Sequence, residues 1–121
     1  MNRFHRILAL GGAAALLAAG PAFAHAELVS STPAANARLA ASPRAITLHF
    51  DEQLVAAFSK IELSMPAHGM AIAVRSTLSQ DGKTLVATPV SRLAKGSYRV
   101  SWSVGSADGH KEAGQFTFRV S

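Results

Sequence analysis

Much of the chain alternates between apolar and polar positions. Ala45-Ile-Thr-Leu-His-Phe-Asp51 puts Ile46, Leu48 and Phe50 on one side of an extended segment and Thr47 and His49 on the other. Ser59 to Met65 repeats the pattern with Ile61, Leu63 and Met65, and Ser97 to Val104 with Tyr98, Val100, Trp102 and Val104. Gln115 to Val120 does the same with Phe116, Phe118 and Val120. Period-two alternation predicts strands with one buried and one wet face, the antiparallel pattern. Met70 to Val74 and Thr84 to Pro89 read as further short strands, the second preceded by the turn signal Gln80-Asp81-Gly82. A strand around Glu27 to Ser31 brings the expected number to seven. Arg38-Leu-Ala-Ala offers at most one helical turn, and no other segment carries a helical stripe. The predicted fold is all-β: a seven-stranded Greek-key sandwich of the immunoglobulin-like kind, with Trp102 as its central core residue.

The first 24 residues follow a different rule. MNRFHR is short and basic, ILALGGAAALLAAG is apolar, Pro21 breaks the run, and Ala22-Phe23-Ala24 has the small-x-small form of a cleavage site. The apolar run falls short of the roughly 20 residues needed to cross a bilayer. Residues 1–24 are therefore expected to be a signal peptide cut after Ala24, and residues 25–121 a single exported domain that does not itself span a membrane. An uncleaved N-terminal anchor is the alternative. Export implies a periplasmic or secreted protein.

Charge and composition narrow the chemistry. The formal net charge is +5, but the leader takes two of the 12 basic residues and none of the seven acidic ones, leaving +3 for the domain. The remaining basic residues stand singly along the sequence, so a nucleic-acid partner is not expected. With no cysteine, there is neither a disulfide frame nor a thiolate. A metal site must use histidine, methionine, carboxylate or the chain terminus.

Four histidines follow the cleavage site: His25, His49, His68 and His110. His49 reads as a packed or solvated strand residue. His110 lies in Ser106-Ala-Asp-Gly-His110, where Asp108 and His110 can point at one centre from a tight turn, although Asp-Gly is also a common turn dipeptide. Cleavage after Ala24 would make His25 the first residue, offering its free amine and its imidazole Nδ1 as a chelate. The amine's ordinary pKa near 7.7–8 makes its proton easy to displace at neutral pH. With Asp108 and His110 it completes a three-nitrogen, one-oxygen set suited to Cu(II). Met65, His68 and Met70 form a second candidate, two soft thioethers and an imidazole suited to Cu(I). Met65 is also in phase with Ile61 and Leu63, and both methionines can be read as core fillers.

These residues resemble the CopC family of periplasmic copper-binding proteins, including its YobA-like members. The resemblance spans residues 25–121 and is carried by His25-Ala-Glu-Leu-Val-Ser-Ser-Thr-Pro33, Leu48-His-Phe-Asp-Glu52, Leu93-Ala-Lys-Gly-Ser-Tyr98, Trp102-Ser-Val-Gly-Ser-Ala-Asp-Gly-His110 and Gly114-Gln-Phe-Thr-Phe118. It implies a cupredoxin-like Greek-key barrel or sandwich and a Cu(II) site at His25, Asp108 and His110. It also implies a role in copper resistance, buffering or delivery, beside a CopD-type inner-membrane partner. The Met65–Met70 loop is shorter than the methionine-rich loop of some members. Other readings are a small copper enzyme of the histidine-brace type, which the chain's size and few aromatics disfavour, a metal-free adaptor sandwich, and a zinc site.

Overall fold

The structure, a computed structural model, describes residues 26–121; the leader and His25 lie outside the described residues. Nine strands are present among them: β1 (Leu28–Thr32), β2 (Arg38–Leu39), β3 (Ile46–Phe50), β4 (Lys60–Met65), β5 (Met70–Ile72), β6 (Val74–Leu78), β7 (Thr84–Pro89), β8 (Gly96–Gly105) and β9 (Lys111–Val120). They form two sheets, in the orders β1-β3-β7-β6 and β2-β9-β8-β4-β5. Ala56–Phe58 and Pro66–His68 are single 3-10 turns. No described helix is long and apolar enough to cross a membrane.

The all-β sandwich is as expected, and the alternation places the core. Ile46, Leu48 and Phe50 of β3 face Ile61, Leu63 and Met65 of β4, Tyr98, Val100 and Val104 of β8, and Phe118 and Val120 of β9. Two of the nine strands escape period-two reading. β2 is two residues long and joins β9 in parallel, too short to carry a pattern. The segment Met70–Val74 divides at Ala73: β5 stays with β4, and β6 crosses to the other sheet beside β7.

Trp102 is not the centre of the core. It is half-buried near one end, in a T-shaped contact with Phe50 at 6.4 Å between ring centres, and Phe116 lies 5.9 Å away. The central aromatic residue is Tyr98, 1% exposed and stacked on Phe118 at 5.4 Å. Its hydroxyl donates to the Ala94 carbonyl at 2.6 Å, a bond that locks the turn entering β8 in the manner of the tyrosine corner of sandwich folds. Burial raises the Tyr98 phenol above its ordinary pKa.

Candidate metal centre

Strands β8 and β9 form a long hairpin, closed by the pair Gly105 and Lys111. The loop between them is Ser106-Ala-Asp-Gly-His110. Two local rules shape it. Asp108 accepts the backbone N–H of His110 at 3.1 Å, the self-capping turn that aspartate favours. Gly109 has φ +92°, a backbone state open to glycine and strained for other residues. The loop closes on itself through Gly109 N–H to the Ser106 carbonyl at 3.0 Å and Ser106 N–H to the His110 carbonyl at 2.9 Å.

The result is a carboxylate and an imidazole on one rigid turn. Asp108 Oδ2 lies 3.1 Å from His110 Nδ1. Ser106, buried at 5% exposure, donates its hydroxyl to Asp108 Oδ1. That bond, followed by the His110 backbone N–H, holds the Asp108 carboxyl below the usual carboxylate range. The carboxylate is thus ionised well into acid and aimed by two donors. Ser106 is the residue that pattern reading missed. Its signal was a serine two positions before the aspartate, one turn of a self-bonding loop.

The segment after β3 fastens this loop to the start of the chain. Ala107 N–H donates to the Gln53 carbonyl at 3.1 Å, and Leu54 pairs with Ser106 as an isolated bridge. On the other side, Asp51 N–H donates to the Glu27 carbonyl at 3.1 Å, and Glu27 N–H donates to Asp51 Oδ1 at 2.8 Å. Ala26, next to His25, is 3% exposed and belongs to the core. No group of three or more histidine, cysteine, aspartate or glutamate side chains gathers among the described residues. A metal held by Asp108 and His110 would need further donors from elsewhere.

The other candidates fall at a distance. His49 is exposed on β3, with Nδ1 2.8 Å from the Thr84 hydroxyl, as its strand phase implies. Met65 and Met70 are paired across the β4–β5 hairpin at the opposite end of the sandwich. With His68 they border one cavity of about 350 Å³, whose wall includes Leu93 and Tyr98. Met65 is 8% exposed and in the core, whereas Met70 is 50% exposed.

Fold and loop together define a class: small two-sheet β-sandwich proteins that carry an oxygen–nitrogen donor pair on an end hairpin. The chain belongs to the CopC family, whose domain model matches residues 28–121. It is 45% identical to Copper resistance protein C of Pseudomonas syringae pv. tomato, over 89% of this chain and 90% of that one. It is 39% identical to Protein YobA of Escherichia coli K12, over 81% and 80% respectively. The crystal structure of PcoC, a methionine-rich copper resistance protein from Escherichia coli, superposes with a TM-score of 0.73 at 38% identity, covering 81% of this chain and all of that one. A 27% identical segment forms 18% of the longer Copper transport protein CutJ of Bacillus subtilis. Membership makes this a copper-binding protein of copper homeostasis and not an enzyme.

Proposed function

We propose that the chain is exported to the periplasm, is cut after Ala24, and binds Cu(II) through the amine and imidazole Nδ1 of His25, the Asp108 carboxylate and the His110 imidazole. The observation that carries this reading is the tie between Glu27 and Asp51, beside a buried Ala26, at the end of the sandwich that holds the Asp108–His110 loop. Successive Cα atoms are about 3.8 Å apart, so the residue before Ala26 is within reach of that end, which supports the reading. The donor set then has three nitrogens and one oxygen, all available near neutral pH and suited to tetragonal Cu(II). The amine exists only after cleavage, which confines the complete site to the exported protein.

The copper is cargo, held for buffering or resistance and passed to a CopD-type inner-membrane partner. Support for such a partner comes from CutJ, a longer copper transport protein of which a segment like this chain is one part. Electron paramagnetic resonance of the Cu(II)-loaded mature protein tests the donor set. A tetragonal signal with hyperfine structure from three nitrogens is expected, and Asp108→Asn and His110→Ala should weaken binding by more than the roughly 10–100-fold usual for an outer-shell change. An unchanged signal and affinity in both variants would place the copper elsewhere.

A second reading concerns Cu(I). The cavity shared by Met65, His68 and Met70 favours it, because two thioethers and an imidazole there can close around a soft ion. Anaerobic Cu(I) titration of Met70→Leu and His68→Ala should show weaker binding in each. Equal affinity would return these residues to packing.

A further inference from the structure

The cations that stand singly in the sequence are gathered by the fold. Arg44 precedes β3, and Arg92 and Lys95 lie between β7 and β8, all at the end opposite the Asp108–His110 loop. Arg44 and Arg92 flank one open cavity of about 560 Å³. On the outer face of the five-stranded sheet, Arg38 is the register partner of Arg119, and Arg99 sits on the next strand in the same half. Arg75 stands opposite Thr88 near the same end of the other sheet. Seven of the domain's ten cations therefore share one pole.

The side-chain carboxylates go the other way. Glu27, Asp51, Glu52, Asp81, Asp108 and Glu112 cluster at the metal-loop end, with Lys60, Lys83 and Lys111 among them. Glu62 lies between, paired with Lys60 at 3.0 Å. No ion pair among the described residues joins a carboxylate to any of the seven polar cations. The far pole thus keeps a net positive charge, even counting the α-carboxylate of Ser121, which shares a recess with Arg92 and Lys95.

We propose that this pole docks on an anionic phospholipid surface, which holds the protein with its copper loop turned away from the bilayer. Three features favour lipid over an acidic protein. The cations come from both sheets and wrap the end of the sandwich, which a fluid headgroup layer can follow. Six of the seven are arginine, whose fork binds phosphate bidentately. Val90, 58% exposed, sits in the Arg44–Arg92 cavity, and Met70 lies at the same end, so apolar side chains accompany the charge into the interface.

The test uses the exported protein and vesicles, and it is independent of the copper site. Sedimentation with phosphatidylglycerol-containing vesicles at low salt should pull the protein down; phosphatidylcholine vesicles should not, and 0.5 M salt should release it. Arg44→Gln with Arg92→Gln should lower partitioning at least about tenfold, since each cation near an anionic surface matters several-fold. Lys60→Gln with Lys83→Gln removes the same net charge at the other end and should change it less than about threefold. Circular dichroism and Cu(II) titration of both double variants should match the parent, separating loss of docking from loss of fold. Equal weakening by the two pairs, or no preference for phosphatidylglycerol, would overturn the proposal. So would loss of an acidic protein partner by Arg44→Gln with Arg92→Gln while vesicle binding stays absent.

Discussion

Ser106 controls Asp108 from two residues away. Its hydroxyl is the leading cause of the depressed Asp108 pKa, and the His110 backbone N–H adds to it. A carboxyl depressed in the folded state contributes stability above its unfolded pKa and loses it as pH falls through the folded value. The Asp108 carboxylate therefore keeps its charge into mild acid, and a proton competes with metal for this one oxygen donor only below the ordinary carboxylate range. Ser106→Ala should raise the Asp108 pKa. Under the proposed site, Cu(II) affinity should also fall roughly tenfold, the low end for an outer-shell partner, by a similar factor at pH 5 and pH 7.5, because a carboxyl in its ordinary range is still ionised at both. Competitive Cu(II) titrations at the two pH values check this; an affinity unchanged from the parent would mean that the Ser106 hydroxyl does not support the site.

At the scale of elements, the β8–β9 hairpin carries both the loop and much of the core. Gly114 faces Trp102 across the ladder, and a Cβ there would land inside the indole ring. Gly114→Ala should cost about 1–3 kcal/mol, as overpacking does, read as a lower urea midpoint with an unchanged slope. Tyr98→Phe removes the bond to Ala94 and leaves a carbonyl short of a donor, for a loss of about 1–3 kcal/mol. Chemical denaturation of each variant decides; a midpoint equal to the parent would mean the site relaxes freely. Alternation made β3, β4, β8 and β9 legible, because each has one dry face. It overplaced Trp102, since phase says which face a residue takes and not how far along the sandwich it lies. β2 and the break at Ala73 have no period to read: the first is held by pairing with β9, the second by a change of sheet.

At the scale of the whole molecule, the sandwich separates acidic from basic side chains. One end presents most of the side-chain carboxylates and the Asp108–His110 loop, the other most of the domain's arginines. Neither grouping is visible in the linear sequence, where the cations stand singly, because up-and-down strands bring distant residues to the same end. The site was half legible. Asp108 and His110 are two apart in one loop, so spacing alone suggested them; Ser106 and the Glu27–Asp51 tie needed three dimensions. His25 entered through the leader's cleavage signal and lies outside the described residues, so the central claim rests on the Ala24–His25 junction. The direct measurement compares Cu(II) titrations of two proteins of mass-verified N-terminus, one starting at His25 and one with a single extra residue before it. The account predicts that the extension sharply weakens binding while the fold and its thermal midpoint stay the same, because the amine is moved off the metal. Equal affinity in the two proteins would contradict it.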